Sequence, residues 1–353
     1  MDEGDGQMTI QRRRLKGTHA CDGGKATFST GSAEAKARYL FCGIALTFML
    51  LLPYAPAEEV TGPLAVFHAG SLSVPLKEVA SAFVAENPGI EPFLEAAGSR
   101  ECARKITDLG RSCDVLVSSD YAVIDALLIP QYADWNIRFA GNEIIIAHTA
   151  SSRYAGQISA ENWSEVLLRD DVAFGRSEPN ADPCGYRTLF TVKLAEKHYR
   201  KPGLAKKLLE KDTRYIRSKE TDLLALLETG AVDYIFIYRS VAQQHGLKWV
   251  TLPDAINLKN PAYAPQYREV SVELSGTTPG SVLTQCGDVI AYGVTVPKNA
   301  PNPTAARAFV AFLLQKDKGM SIMEKNGQES LVPAPSDTYD RIPPELKEFA
   351  RKP

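Results

Sequence analysis

From residue 63 to the C-terminus, short apolar runs alternate with helix-like segments, and this alternation constrains the fold more than any other feature. Runs of about four to eight apolar residues indicate buried strands, and longer segments with apolar residues at every third or fourth position indicate helices. Such alternation is typical of an α/β architecture. Because the chain has 353 residues, two lobes with separate cores are expected. No short-period repeat is present, which excludes a solenoid.

The elements predicted from this pattern cover most of the chain. The predicted strands comprise residues 64–68, 90–94, 114–117, 142–148, 171–174, 234–237 and 289–296. The predicted helices comprise residues 75–87, 100–109, 121–128, 163–168, 186–199, 219–228 and 304–314. In α/β sheets, ligands bind at the loops that follow the carboxyl ends of strands, so these loops are the first places to look for a site.

The N-terminal 57 residues differ in character from the rest of the chain. Residues 1–38 are polar, lack hydrophobic periodicity and are predicted to be disordered. Residues 39–52 are almost continuously apolar, follow Lys36 and Arg38, and precede the sequence Ala55-Pro56-Ala57. This arrangement is typical of a secretory signal cleaved after Ala57, and an uncleaved membrane anchor is the alternative. We therefore predict a secreted, periplasmic or cell-surface protein.

Charge and cysteine usage exclude several classes of protein. The formal net charge is −2 and no long basic run occurs, which argues against a nucleic-acid partner. The cysteines that follow the leader are Cys102, Cys113, Cys184 and Cys286. They lack paired spacing and an accompanying histidine cluster, so neither a zinc site nor a cofactor is predicted. A bridge between Cys102 and Cys113 stays open, because an extracytoplasmic location would permit one.

Two loops in the first half of the chain carry a Gly-Ser pair between a strand end and a helix start. They are Gly70-Ser71 and Gly98-Ser99. Glycine permits a close approach of the backbone to a ligand, and the serine hydroxyl adds a hydrogen-bond donor. For each loop alone, a serine that only caps its helix is the alternative. Together with a similar loop at 179–187, the two loops favour a shared anion site.

The loop 179–187 reads Pro-Asn-Ala-Asp-Pro-Cys-Gly-Tyr-Arg and precedes a predicted helix. Small, turn-forming residues before a helix leave backbone N–H groups free, which favours an anion. Asp182, however, places a carboxylate where that anion would lie. It either caps the helix or contacts a ligand that accepts N–H donors and also binds a carboxylate oxygen. The residues alone leave both interpretations open.

Four segments resemble the archaeal-type tungstate/molybdate-binding proteins: 67–75 (FHAGSLSVP), 182–187 (DPCGYR), 219–223 (KETDL) and 233–242 (DYIFIYRSVA). The resemblance extends from about residue 64 to about residue 332, with the segments in the same order. It implies the substrate-binding component of an ABC importer. Such a protein is a monomer, is not an enzyme, and delivers a small oxyanion to a permease and its cytoplasmic ATPase.

The same resemblance implies a periplasmic-binding-protein type II fold, in which two α/β lobes are joined by two hinge crossovers. The predicted strands 142–148 and 289–296 are assigned to these crossovers. Lobe 1 would then be discontinuous, comprising 63–145 plus 291–345, and lobe 2 would comprise 146–290. The ligand cleft would lie between the lobes. The anion would dock on lobe 1 first, and closure of lobe 2 would complete the site.

For the site itself, the resemblance implies that Asp182 and Glu220 are oxygen ligands of the tungsten or molybdenum centre, which thereby becomes a distorted octahedron. A carboxylate repels a dianion unless its oxygen reaches the metal, and sulfur or phosphorus does not readily accept further oxygens. The pair would thus select against sulfate and phosphate. The interval between the two residues is shorter than the family pattern. The remaining predicted ligand-binding residues, which donate to the oxo groups, are Gly70, Ser71, Ser99, Cys184 and Tyr238.

Other interpretations accompany these assignments. Glu220 also fits a first-turn residue stabilised by the helix dipole, and Tyr238 also fits an aromatic packed at a strand end. Binding of sulfate or phosphate, or a membrane-linked oxyanion sensor with the same fold, are the alternative functions. A hydrolase with Cys184 as nucleophile and His68 or His245 as base is disfavoured, since neither histidine has an identifiable orienting acid and the common catalytic motifs do not occur.

Overall fold

The computed structural model describes residues 60–278 and 280–353. The predicted disordered segment 1–38 and the predicted signal at 39–57 lie outside the described residues, so both stay predictions. Within the described ranges, no helix combines the length and the apolar character that a membrane span requires.

The described residues form strands and helices in the predicted alternation. The strands are β1 (Gly62–Ala69), β2 (Ile90–Ala97), β3 (Val115–Ser118), β4 (Ile137–Gly141), β5 (Ile144–His148), β6 (Phe174–Ser177), β7 (Ile216–Arg217), β8 (Tyr234–Tyr238), β9 (Lys248–Thr251), β10 (Ser271–Ser275), β11 (Val282–Cys286), β12 (Ala291–Thr295), β13 (Glu329–Ser330), β14 (Ala334–Pro335) and β15 (Ala350–Arg351). The α-helices are α1 (Ser73–Glu86), α2 (Ser99–Thr107), α3 (Tyr121–Leu127), α4 (Trp163–Leu167), α5 (Pro183–His198), α6 (Leu204–Glu210), α7 (Leu223–Glu228), α8 (Arg239–Gln244), α9 (Asp254–Asn257), α10 (Ala264–Tyr267), α11 (Pro303–Leu314) and α12 (Ser321–Lys325).

Two mixed sheets organise these elements. The first has the order β13-β4-β12-β3-β1-β2, with β1 parallel to β2 and β3, and β12 antiparallel to β3 and β4. The second has the order β7-β6-β8-β5-β9, with β6 parallel to β7 and β8, and β5 antiparallel to β8 and β9. Strands β10 and β11 pair as a separate antiparallel hairpin. The prediction of an α/β architecture is confirmed.

Each sheet is covered on both faces, which explains why its central strands read as continuous apolar runs. Every residue of β5 and of β8 is buried in the second sheet. In the first sheet, Val66 belongs to the cluster that includes residues of α1 and α11, whereas Phe67 belongs to the cluster with residues of α2 and α3. Successive residues of a strand point to opposite faces, so β1 lies between these two helical layers.

The chain passes between the two sheets at two places. β4 ends in the first sheet and β5 begins in the second, so Asn142 and Glu143 form the first connection. The return passes through Ile290 into β12 of the first sheet. Asn142 donates through its amide nitrogen to Ser240 Oγ and to the Tyr292 hydroxyl, both at 2.8 Å. The Asn142 side chain is thereby bound to α8, which directly follows β8 of the second sheet, and to β12 of the first sheet.

One strand prediction is wrong in position. Residues 171–174 were expected to be extended, but the strand is Phe174–Ser177. The Val172 amide donates to Arg169 O at 3.2 Å in a turn, and the Ala173 amide donates to Asp233 Oδ2 at 2.9 Å. Because these amides are bound outside a sheet ladder, the strand begins later and runs directly into the loop that carries Asp182.

Three element boundaries near the predicted anion loops also differ. α5 begins at Pro183, three residues before the predicted start, with Pro183 in the first turn, where its missing N–H costs nothing. β2 extends through Ala97, so Gly98 alone separates it from α2. The predicted helix 219–228 is instead a 3₁₀ turn, Glu220–Asp222, followed by α7.

The bridge between Cys102 and Cys113 that the sequence left open is not formed. Both residues are buried free thiols. Cys102 Sγ donates to His68 O at 3.5 Å, and Cys113 Sγ donates to Val115 O at 3.1 Å. Each thiol is directed at a backbone carbonyl of the first sheet.

Candidate functional site

Asp182 is the N-cap residue of α5 and joins two segments of the second half of the chain. Its Oδ1 accepts a hydrogen bond from the Cys184 amide at 3.1 Å, and its Oδ2 accepts one from the Glu220 amide at 2.9 Å. The side chain is fully buried. Each carboxylate oxygen has further lone pairs, so capping the helix and contacting a ligand do not exclude each other.

Glu220 opens the 3₁₀ turn that precedes α7 and is also fully buried. Among the described residues, neither oxygen of its carboxyl group has a hydrogen-bond partner. Its place in the first turn fits the helix-dipole interpretation, but its full burial removes it from solvent, where such a glutamate ordinarily lies. Burying an ionisable group without partners destabilises a fold. Burial at this position is therefore unfavourable unless the carboxyl group shares a proton with Asp182 or binds a ligand.

Gly70 brings the first sheet into contact with the turn that carries Glu220. A Cβ atom on Gly70 would lie 2.7 Å from Lys219 Cγ, 2.9 Å from Glu220 Oε2 and 2.9 Å from Thr221 Oγ1. Distances this short leave no room for a side chain. The 3₁₀ turn Gly70–Leu72 and the turn at Glu220 thus approach each other only because residue 70 is glycine.

Ser71 is linked to the site through Tyr292. The Tyr292 hydroxyl donates to Ser71 Oγ at 3.1 Å, and the Tyr292 ring lies edge-on to Tyr238, with 6.1 Å between ring centroids. The carbonyl of Ser71 accepts a hydrogen bond from Gln328 Nε2 at 3.1 Å. Because Ser71 Oγ accepts in this arrangement, its own hydrogen is available as a donor.

Ser99 is linked to Tyr238 through Ser119 and Arg187. Its Oγ accepts from the Ser119 amide at 2.9 Å. Arg187 Nη1 donates to Ser119 O at 2.6 Å and to the Tyr238 hydroxyl at 2.8 Å. Since the Tyr238 oxygen already accepts from a cation, its phenolic hydrogen is free to donate to another group.

Arg187 is itself held by an ion pair in the interior. Its Nη2 lies 3.2 Å from Asp120 Oδ2, and the Tyr186 hydroxyl donates to the same oxygen at 2.5 Å. Asp120 Oδ1 also caps α3 by accepting from the Ala122 amide at 3.0 Å. Although burial alone would lower the pKa of Arg187, the Asp120 carboxylate raises it, so the guanidinium stays charged.

The predicted site residues therefore fall into two sets. Gly70, Asp182, Cys184 and Glu220 are brought into direct contact, whereas Ser71, Ser99 and Tyr238 are joined to one another only through intermediates. Sequence reasoning missed those intermediates: Ser119, Asp120, Asn142, Arg187 and Tyr292. Arg187 ends one of the segments quoted for the family resemblance, which was a usable signal. The others pair positions far apart in the chain, and no local pattern marks them.

The electrostatics of the two buried carboxyl groups favour a proton on the pair. Burial raises the pKa of Glu220 well above its ordinary value, and the neighbouring Asp182 charge raises it further. Burial also raises the pKa of Asp182. Two acidic groups this close in a dry interior do not both ionise.

We expect these shifts to make the unliganded protein less stable as the pH rises. A carboxyl group whose pKa is higher in the folded state contributes stability fully below its unfolded pKa, about 4, and loses that contribution as the pH rises through the folded value. The expected result is that Glu220→Gln flattens the decline in unfolding free energy above about pH 4. Urea titrations of both proteins from acid to neutral pH measure this difference. An identical slope in the variant would contradict the assignment.

Cys184 does not have the environment of a nucleophile. Its Sγ donates to Phe236 O at 3.8 Å, and the side chain is fully buried. Burial, together with the charges of Asp182 and Glu220, raises the pKa of this thiol well above its ordinary value. A neutral, buried thiol is inert. The backbone amide of Cys184, in contrast, faces the Asp182 carboxylate.

Comparison with known proteins identifies the family of the chain. Residues 64–329 match the bacterial extracellular solute-binding proteins. A protein of Petrotoga mobilis described as an uncharacterized solute-binding protein is 49% identical over 86% of this chain and 96% of its own length. The molybdate/tungstate-binding protein WtpA of Pyrococcus abyssi is 41% identical over 86% of this chain and 95% of its own length.

A solved structure extends the likeness to the fold. The periplasmic molybdate-binding protein of Azotobacter vinelandii covers 75% of this chain and 98% of its own, with a TM-score of 0.55 and 15% sequence identity. The fold is therefore that of the periplasmic binding proteins, as the resemblance implied. The chain belongs to the bacterial extracellular solute-binding protein family, and its relatives include proteins named for molybdate and tungstate.

Proposed function

We propose that this protein captures tungstate or molybdate outside the cytoplasm and delivers it to an ABC permease with a cytoplasmic ATPase. The anion would bind in a cleft between lobe 1 (63–145 plus 291–345) and lobe 2 (146–290). Asp182 and Glu220 would each contribute a carboxylate oxygen to the metal. The names of its relatives support the ligand, and the predicted leader supports the location.

The observation that carries this proposal is the carboxyl group of Glu220. It is fully buried, has no partner among the described residues, and lies beside a second buried carboxylate, Asp182. Such a pair shares a proton in the unliganded protein, and a positive centre that binds both oxygens would take the place of that proton. The hexavalent centre of tungstate or molybdate is a hard acceptor that fits two additional oxygen ligands.

Hydrogen-bond donors on neighbouring segments support the proposal of an anion site. The hydroxyl hydrogens of Ser71 and Tyr238 are free to donate, and Gly70 allows the backbone to approach closely. Within residues 60–278 and 280–353, no group of three or more His, Cys, Asp and Glu side chains could hold a metal ion. A two-carboxylate site instead suits a metal that arrives with four oxygens already bound.

Selectivity distinguishes this function from the binding of another oxyanion. We expect tight binding of tungstate and molybdate, and sulfate binding weaker by about 10⁴-fold, the discrimination reached when the wrong ligand leaves buried polar groups unsatisfied. Isothermal titration calorimetry of residues 58–353 with the three sodium salts measures it. Sulfate affinity within tenfold of tungstate would refute metal coordination, and binding of none of the three would refute the oxyanion function.

A further inference from the structure

Arg100 joins three segments that are distant in the sequence. It is the second residue of α2, directly after Ser99, and its side chain is 1% exposed. Its Nε donates to Asn180 O at 3.2 Å, and its Nη2 donates to Ser275 O. Asn180 lies in the loop before Asp182, and Ser275 ends the first strand of the β10–β11 hairpin. One guanidinium thus connects α2, which follows β2 of the first sheet, with the loop after β6 of the second sheet and with the hairpin.

The backbones of the same segments are also in contact. The Glu101 amide donates to Ala181 O at 3.2 Å. A Cβ atom on Gly98 would lie 2.2 Å from Ala181 O and 3.1 Å from Asp182 Cβ. The start of α2, which carries Ser99, therefore lies directly against the chain that carries Asp182.

The hairpin also forms hydrogen bonds with the loop that carries Asn180 and with α2. Asn180 Oδ1 accepts from the Ser275 amide at 2.8 Å and from Ser275 Oγ at 3.0 Å. Arg104, one turn after Arg100, donates through Nη2 to Gly276 O at 2.8 Å. Because β10 and β11 belong to neither large sheet, the hairpin spans the junction without being fixed in either ladder.

Both hydrogen bonds of Arg100 end on carbonyl oxygens. Carbonyl groups satisfy N–H donors but compensate a buried positive charge less than a carboxylate does. When the three segments separate, the guanidinium loses two hydrogen bonds and regains hydration. This balance makes the contact easier to release than the buried Asp120–Arg187 ion pair, which joins the same two proposed lobes.

We propose that Arg100 and Asn180 form a latch that keeps the anion-binding cleft closed and so determines how long the anion stays bound. The inference rests on the proposed function, because the latch joins the start of α2, which carries Ser99, to the loop that carries Asp182. Both residues belong to the proposed site. Arg100 and Asn180 are positioning residues: neither has to touch the anion. Loss of the latch should accelerate release with little effect on capture, since related sites differ mainly in their dissociation rates.

The test compares tungstate kinetics in Arg100→Met, in Asn180→Ala and in the control Arg111→Met. Arg111 is an exposed arginine of the first half that pairs with Glu95. Release is followed by diluting loaded protein into buffer with excess molybdate and measuring protein-bound tungsten by mass spectrometry. We expect about tenfold faster release in both latch variants, association rates within about threefold of the wild type, and no change in the control.

Asn180 is exposed, and Asn180→Ala removes its two hydrogen bonds to Ser275 while it keeps the carbonyl that Arg100 binds. The variant therefore tests the hairpin side of the latch even where Arg100→Met folds poorly. The melting temperature of unliganded Asn180→Ala should equal that of the wild type, which a purely structural role would not predict. Release within twofold of the wild type in Asn180→Ala overturns the latch. Absence of tungstate binding in the wild type overturns the proposed function instead, so the two failures are distinguishable.

Discussion

Glu220→Gln is expected to reduce tungstate affinity by about 100-fold or more, equivalent to about 2.8 kcal/mol. Groups that only orient a metal ligand already cost about 10- to 100-fold when they are removed, so loss of a direct ligand should reach at least the upper end of that range. The amide preserves the size of the side chain but is a poorer oxygen donor. Calorimetric titration of the variant with sodium tungstate measures the effect.

The same substitution should leave the unliganded protein as stable as before, or more stable. The neutral amide cannot acquire a charge beside Asp182, and its N–H group can take the place of the proton that the two carboxyl groups share. The matched control is Glu228→Gln, at an exposed position at the end of α7, and it should change neither property. Wild-type tungstate affinity in Glu220→Gln would show that the carboxylate is not a ligand. Reduced affinity together with reduced stability would point to a structural defect instead.

Asp120→Ala is expected to destabilise the described arrangement by about 3–5 kcal/mol, because Arg187 of the proposed lobe 2 is buried against Asp120 of the proposed lobe 1 and would lose its counter-charge. Arg187 is 3% exposed and lies 3.2 Å from Asp120. The substitution also removes the cap of α3 and the acceptor for the Tyr186 hydroxyl. Unfolding in guanidinium chloride, followed by circular dichroism, measures the loss.

Asp134→Ala is the control for this experiment. Asp134 makes the same kind of ion pair with Lys298, at 2.9 Å, but both side chains are substantially exposed. Exposed pairs contribute about 1 kcal/mol or less. The double variant Asp120→Ala/Arg187→Met should lose less stability than the two single variants combined, since no charge is left buried. Equal losses in Asp120→Ala and Asp134→Ala would contradict the interior role of the pair.

The sequence predicted the architecture because buried strands and amphipathic helices have distinct local patterns. Apolar runs such as those of β5 and β8 are short and rich in isoleucine, which favours buried strands of a sheet covered on both faces. The position of β6 could not be predicted, because it depends on the Asp233 carboxylate binding the amide of Ala173, sixty residues away. Contacts of that kind leave no mark in a local window.

The candidate site was predictable to the extent that it lies in loops with a local chemical reason to bind an anion. Gly70 and Asp182 belong to such segments, and the structure brings both into contact with the turn at Glu220. The family resemblance was needed for Glu220, whose local pattern fits an ordinary first-turn acid. Asp120 and Tyr292 could not be found, because each acts on the site through a partner far along the chain.

The hydrogen bond from the Glu220 amide to Asp182 fixes the position of residue 220 independently of its side chain. Asp182 holds the backbone of residue 220 and not its side chain. The identity of that side chain can therefore change without loosening its position. Under the proposed function, a relative with a neutral residue of similar size at this position would keep the backbone geometry and bind a different anion. Backbone tethering would then let the specificity of the site change by a single substitution.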